Sequence, residues 1–451
     1  MAIIAPFRGL TYNYQAGPDI SNVVAPPYDV ISQDEQDAYH SADPRNVIRL
    51  ILGKKKAGDS DWDNRYTRAA EHFRRWESEG TLVRADQPSV YITSLTYDPG
   101  TGDGPRTRWG LITLARIEDP ESGVILPHEK TFSAHKDDRL KLMRACNAQF
   151  SQIFGLYEDT EDNAIRACRK YTDVPPEIDF DFKDGTRHRM WILQRPLLFK
   201  ELADIMASRR IFIADGHHRY ETARNFREIM RARHGWRSPD RPYEYVMMYM
   251  SNMCDEGLTI LPSHRLIKSV PGFQIDLFLE RAGQWFDIEE FPVSGDDISK
   301  QCIELKHRLE QKGDFTTAIA FYWNKADRPF ILTLKPGQGD RIGNDLHPSL
   351  KKLDVLVLSK LILQKGLGFI SEDLDNNDLF HYESIMEKAV SQVKSGDYEM
   401  TFLMNPTKIG HVEEIASNSL VMPRKSTYFY PKVMTGLVFN RIEPHETIQV
   451  P

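Results

Sequence analysis

Apolar positions along this chain recur with one period in some stretches and another elsewhere, and each change of period marks an element. Over Ser60–Glu79 the apolar residues Tyr66, Ala69, Ala70, Phe73 and Trp76 fall on one helical face. Ser89–Tyr97 and Arg108–Arg116 read as a β-hairpin, parted by the breaker cluster Asp98-Pro-Gly-Thr-Gly-Asp-Gly-Pro105. Asn46–Leu52 and Phe150–Tyr157 read as strands, and Asn163–Tyr171 as a short helix. A second hairpin is predicted over Phe180–Leu193 with Asp184-Gly185 at its turn. A helix over Arg195–Ser208 leads into the apolar strand Ile211–Ala214, and Tyr245–Ser251 is a Met-rich strand whose methionines read as core. Strands and helices thus alternate through the middle of the chain, the pattern of a mixed α/β core.

After about residue 270 the pattern shifts to α+β. Strands are predicted at Thr316–Trp323, Phe330–Leu334 and Tyr398–Met404. Helices are predicted near Ile298–Gln311, Leu350–Leu363, Tyr382–Ser395 and Thr407–Ser417. Near the N-terminus Val23-Val-Ala-Pro-Pro-Tyr-Asp-Val30 is rigid and extended, because each proline biases its predecessor away from helix. It offers Asp29 either as a site residue or as a turn aspartate.

The stretch Ile211-Phe-Ile-Ala-Asp-Gly-His-His-Arg-Tyr-Glu-Thr-Ala223 concentrates the chemistry. Its strand ends at Asp215-Gly216, and a helix is predicted to start near Tyr220 and run through Phe226 and Met230. Between them stand His217, His218 and Arg219. Potentially cationic side chains beside a helix N-terminus, with its unpaired N–H groups and positive dipole end, make an anion site. A phosphate or nucleotide site is the leading expectation.

Composition narrows the classes. With 451 residues, 41% hydrophobic and 27% charged, the chain resembles an ordinary soluble protein of two or three domains. The net charge of -7 and the absence of a basic helix argue against nucleic acid as partner. Cys146, Cys168, Cys254 and Cys302 show no CxxC spacing, so reduced thiols in a cytoplasmic protein are expected. No signal-peptide pattern and no run of roughly 18 apolar residues stands in the chain, so no membrane span is expected.

Further polar clusters lie elsewhere. His128-Glu129-Lys130, with Lys136 beyond, pairs a carboxylate with a histidine, a combination suited to general-base work. It could equally be a solvated loop. His264-Arg265 follows a proline, and Val421–Gly436 gathers lysines, hydroxyl groups and aromatics in a proline-bounded segment that could hold a phosphate or pack as a tail. GxxxxGK[ST], the Gly-rich dinucleotide fingerprint and HExxH are absent. A metal joining one histidine of the central pair to His128, Glu129 or His264 stays open.

Asp215-Gly-His-His-Arg-Tyr-Glu-Thr-Ala223 resembles the signature of the ParB/sulfiredoxin-like superfamily, and the DGHHR form is most similar to its free L-serine kinases. The whole chain looks like a member of the "domain of unknown function 1015" family. That resemblance is carried by Ala5-Pro-Phe-Arg-Gly9, Ala25-Pro-Pro-Tyr-Asp-Val30, His128-Glu129 with Thr131, Asp215–Tyr220, Leu261-Pro-Ser-His-Arg265, Met422-Pro-Arg-Lys-Ser-Thr427 and Pro431-Lys432. It implies an N-terminal α+β domain over 1–185, a nucleotide-binding ParB/sulfiredoxin-like core over 186–268 and a C-terminal α+β domain over 269–451.

By similarity to the serine kinases, phosphoryl transfer from ATP or ADP with Mg²⁺ to a small hydroxyl compound is implied. Glu129 is then the expected base, with Asp29 the weaker choice, and His128 and His218 also belong to the catalytic set. Asp215 is expected to bind Mg²⁺ or to orient a histidine. Gly216, His217, Arg219, His264, Arg265, Lys425, Ser426 and Thr427 are expected to hold the nucleotide. The alternatives are a nucleotide-gated interaction protein without turnover and a metal-dependent hydrolase.

Overall fold

The computed structural model describes residues 1–451 apart from Ala16, 101–103, 130–132, 236–237, 293–296, Asn344 and Asn377, and apart from the side chains of 133–135 and Asp375. Lys130 and Thr131 of the predicted polar loop therefore lie outside the described residues. The chain divides into two units, Met1–Thr259 with Phe429–Pro451, and Ile260–Tyr428. Strands on both sides of residue 185, such as Val90–Tyr97 and Tyr245–Asn252, lie in one sheet, and the last 23 residues return to the first unit.

In the first unit the strands are β1 (Ile4–Ala5), β2 (Val90–Tyr97), β3 (Arg106–Arg116), β4 (Ile125–Leu126), β5 (Ile153–Tyr157), β6 (Ile178–Asp181), β7 (Arg187–Leu193), β8 (Ile211–Asp215) and β9 (Tyr245–Asn252). They form a nine-stranded sheet in the order β4-β8-β5-β9-β3-β2-β7-β6, with β1 paired to β3. The two predicted hairpins, β2–β3 and β6–β7, are antiparallel. The pairs β5–β9 and β4–β8 are parallel, so the sheet is mixed.

Helices pack on it: α1 (Arg65–Ser78), α2 (Ser133–Cys146), α3 (Asn163–Arg169), α4 (Pro196–Ala207) and α5 (His217–His234). The core joins Leu111, Ile153, Met248 and Met250 of the sheet to Leu198, Leu202 and Met206 of α4. The β9 methionines are thus core, each fully buried side chain contributing about 1.5–3 kcal/mol.

In the second unit a six-stranded antiparallel sheet runs in the order Phe286–Glu290, Phe330–Leu334, Ala318–Trp323, Met400–Met404, His264–Ile267, Phe380–Glu383. Helices Ile298–Gly313 and Met386–Lys394 cover it through Leu305, Leu309, Ala389 and Val393.

Four elements depart from the pattern-based expectation. Asn46–Leu52 is not a strand. The buried Asn46 side chain accepts from Ile48 N at 2.8 Å and donates to Asn22 O at 2.7 Å, which starts one helical turn at Ile48–Ile51. The predicted helix over Tyr382–Ser395 is split, because Tyr382 belongs to the strand that pairs with His264–Ile267 and the helix begins only at Met386. Leu350–Leu363 divides into two short helical turns, Pro348–Lys351 and Asp354–Val357, and a π-helical stretch over Leu358–Gly366. Finally, α5 begins at His217, three residues before the expected start. Gly216 makes the whole turn by itself with φ 93°, and Tyr220 N already bonds Gly216 O at 2.9 Å.

Candidate functional site

Strand β8 is buried from Ile211 to Ala214, so its end is fixed by the core. Its register with β5 shifts between Ile213 and Asp215, a bulge that re-aims the Asp215 side chain. The backbone then reverses at Gly216 in the left-handed region. A Cβ there would lie 2.9 Å from Arg219 Nε, because the guanidinium folds back across the turn. Gly216 is needed on both counts.

Arg219 Nη2 donates to Asp215 Oδ2 at 2.5 Å, and its Nη1 donates to Gln152 O. The other carboxylate oxygen of Asp215 accepts from Lys432 Nζ at 2.7 Å. All three side chains are largely buried. Burial alone would raise the Asp215 carboxyl, but Lys432 and Arg219 outweigh it and hold the group well below the usual carboxylate range. One carboxylate against two cations leaves a net positive charge, placed at the positive end of the 18-residue helix α5.

His128 and His217 meet edge to face beside this trio, ring centroids 4.7 Å apart and planes at 88°. His217 Nε2 accepts from His128 N at 3.2 Å, which assigns the proton of the neutral ring to Nδ1. Nδ1 faces Glu129 Oε2 at 4.0 Å, a charge contact too long to be a hydrogen bond. Burial lowers His128 to about 4, against a hydrogen bond with the Ile213 backbone. Burial, then the neighbouring His128, lowers His217 well below its ordinary value. Both rings are therefore neutral at pH 7. Glu129 keeps 28% of its side chain exposed, so a substrate can reach it. His218 lies in the first turn of α5 and is partly exposed.

The predicted site residues thus fall into two groups. His128, Glu129, Asp215, Gly216, His217, His218 and Arg219 belong to the first unit, around one turn. His264, Arg265, Lys425, Ser426 and Thr427 belong to the second unit. There His264 Nδ1 accepts from Met404 N at 3.1 Å, and burial, then Arg265, lowers the ring to about 3. Arg265 is buried, lies over the Tyr382 ring at 4.6 Å and donates to Lys425 O at 3.0 Å. Ser426 Oγ donates to Pro423 O at 2.5 Å. Within that unit these groups tie strands and turns together.

The lysine that reaches Asp215 is Lys432, which the sequence reading left out of the site. The available signal was its place directly after Pro431 in a segment already rich in polar groups. Arg108 was missed as well, because it sits inside a predicted strand. It is fully buried, donates to Tyr249 Oη at 3.1 Å and Pro431 O at 2.8 Å, and lies over the Phe154 ring at 4.7 Å. It anchors the segment that carries Lys432. Asp29 is exposed, whereas its neighbour Tyr28 is partly buried with the Arg139 guanidinium 3.9 Å above its ring.

The surroundings of Asp215 do not fit a divalent cation, since each carboxylate oxygen already holds a positive side chain. That corrects its assignment as a metal ligand. No group of three or more His, Cys, Asp or Glu side chains suited to a metal exists among the described residues. Nε2 of His217, the lone pair such a metal would need, is taken by a backbone N–H. Among the described residues no helix is long and apolar enough to cross a membrane.

Comparison with curated proteins finds no match. Among solved structures, a mutant free serine kinase in complex with ADP is 11% identical and covers 72% of this chain and 88% of its own, with a TM-score of 0.34. A C-terminally truncated SbnI from Staphylococcus aureus is 8% identical over 72% of this chain and 85% of its own, TM-score 0.33. A conserved hypothetical protein from Pyrococcus furiosus is 13% identical over 69% and 89%, TM-score 0.31. At these TM-scores the likenesses carry no argument about the site, which is read from its own residues. A family model matches residues 4–356, and the chain belongs to the family described as "Protein of unknown function (DUF1015)".

Proposed function

We propose that the chain is a nucleotide-dependent phosphotransferase acting on a small hydroxyl compound, with a ParB/sulfiredoxin-like core as the sequence motif implies. The observation that carries this reading is the pairing, at one helix N-terminus, of a net cationic trio with a reachable carboxylate, Glu129. Phosphoryl transfer needs charge neutralisation, positioning and a base at the acceptor hydroxyl, and little else from the protein. The α5 N-terminus, Arg219 and Lys432 neutralise the phosphates of ATP or ADP. Glu129 takes the acceptor proton, and Nδ1 of the neutral His217 ring faces its carboxylate at 4.0 Å. His128 fixes that tautomer through its backbone N–H. Asp215 is the negative group that keeps the two cations in place, and a nucleotide brings its own counter-ion.

The test is a transfer assay with ATP or ADP and Mg²⁺ against a panel of hydroxyl metabolites that includes L-serine. Phosphorylated product is expected from at least one pair. Arg219→Ala is expected to cut turnover about 100-fold or more, the size of losing one preorganised charge contact. No product with any pair would overturn the reading.

A further inference from the structure

The first unit also holds a small cavity of about 50 Å³, open to solvent on one side, on the α2 side of Arg219. Of the trio only Arg219 borders it, and neither His128 nor His217 does. Its polar wall is made by Tyr28, Arg139, Gln149, Ser151, Arg219 and Thr222. Its apolar wall includes Leu142, Met143 and Ile153. Among the described residues two arginines line the cavity and no acidic side chain does.

Both guanidiniums are fixed. Arg139 is buried, stacked on Tyr28, and donates to Ile51 O at 2.7 Å. Its carboxylate partner Asp138 is shared with Arg65, so that cluster keeps a net positive charge. The Asp215 trio keeps another. The cavity therefore stands between two clusters of one sign, each with a rigid planar donor. A neutral guest would leave that charge unanswered. At about 50 Å³ it has room for a molecule of a few heavy atoms and for no polymer.

We propose that this cavity takes the phosphate acceptor, and that the acceptor is a small hydroxy acid whose carboxylate lies toward Arg139 and Arg219. The role as acceptor rests on the phosphotransferase reading; the preference for a carboxylate rests on the cavity alone. Arg219 borders both the turn and the cavity, so one side chain registers the acceptor against the phosphates.

The experiment is calorimetry on the full chain without nucleotide, using glycerate, lactate and serine against their amides. The acids are expected to bind about tenfold or more tightly than the amides, the size of a charge-assisted hydrogen bond. Met143→Trp fills the cavity from its rim and is expected to weaken acid binding at least about tenfold while ATP or ADP binding stays within about twofold. Met143→Phe, a smaller filler, serves if the tryptophan variant does not fold. Amides binding as well as acids would overturn the proposal. So would a Met143 variant that weakens the nucleotide and spares the acid, which would place the nucleotide base in the cavity. Acid binding lost in the Met143 variant, with no turnover in any assay, sustains the cavity and sinks the phosphotransferase. Turnover that ignores acceptor charge and Met143 does the reverse.

Discussion

Lys432, Asp215 and Arg219 form a balance in which each residue is tolerable only because of the others. Two buried cations side by side are costly, and a buried carboxylate is costly too. Together they leave one net charge, which the helix end faces with a further positive field. Lys432→Met keeps the stem's apolar contacts but leaves Asp215 with one partner. It is expected to destabilise the first unit by about 3 kcal/mol, as for one broken buried pair. Asp215→Asn in the Lys432→Met background should recover about 1 kcal/mol or more of that loss if the two groups are coupled, read from denaturant midpoints. Additive losses would show that they are not. Glu129 answers to a different readout. Glu129→Gln keeps shape and removes the base, so turnover should fall about 100-fold or more with nucleotide affinity unchanged. The DGHHR turn was legible in the sequence because everything it needs, from strand end to helix start, is local. Lys432 was not, since it lies 217 residues from Asp215 and nothing local specifies that pairing. His264 and Arg265 were singled out by residue type, while what the structure shows of them is burial inside the second unit with bonds to its backbone.

At the scale of elements, the two hairpins and the helices α1, α3 and α4 follow from local period and turn residues. What fails is the reading of short apolar runs, which suit a strand or a buried helical turn equally well until a side chain decides. Asn46 decides one of them by capping, and Tyr382 another by pairing. The return of the C-terminal segment to the first unit could not be read locally either. It depends on Arg108, an arginine at an inward position of β3 whose donors end on Tyr249 and on the carbonyls of Tyr430 and Pro431. Phe429 adds ring contacts to Phe154 at 5.9 Å and His128 at 6.4 Å. Arg108→Leu removes the donors and leaves buried carbonyls unpaired, so a loss of about 3 kcal/mol in the first unit is expected. The segment near Lys432 should then exchange its amide hydrogens faster than the sheet core does. If exchange there matches the unsubstituted protein, Arg108 is not the anchor.

Burial holds several histidines of the molecule neutral, and this sets the direction of its pH response. His128 and His188 are lowered to about 4 and His264 to about 3, each chiefly by burial, and His217 lies well below its ordinary value for the same reason. A histidine with a folded pKa below its unfolded value of roughly 6.5 binds more protons unfolded than folded. Its contribution to stability is complete above about pH 6.5 and is lost as pH falls through that value toward the folded pKa. Asp354 works the other way, because burial raises it to about 6 and its contribution fades as pH rises from the ordinary carboxylate range. Asp255 is raised by burial as well. Carboxylates that are lowered, such as Asp215 and Asp138, lose their contribution only below about pH 4. Burial lowers His40 to about 4 and lowers His72 and His411 as well, so between pH 6.5 and about 4 the lowered histidines outweigh the two raised aspartates, and thermal midpoints should fall steadily on acidification through that window. The units can be told apart, since His40, His72, His128, His188, His217 and Asp255 belong to the first and His264, His411 and Asp354 to the second. The first unit should show the steeper slope, because five lowered histidines there face one raised aspartate, Asp255, whereas in the second unit His264 and His411 face Asp354. His188 stacks on Phe180 and bonds Thr186 Oγ1 at 2.8 Å, away from the candidate site. His188→Gln should flatten the first unit's pH slope and leave the second unit's unchanged. A first-unit midpoint that stays level from pH 7 to 4.5, or a variant whose slope equals the parent's, would mean these rings are not held neutral by the fold.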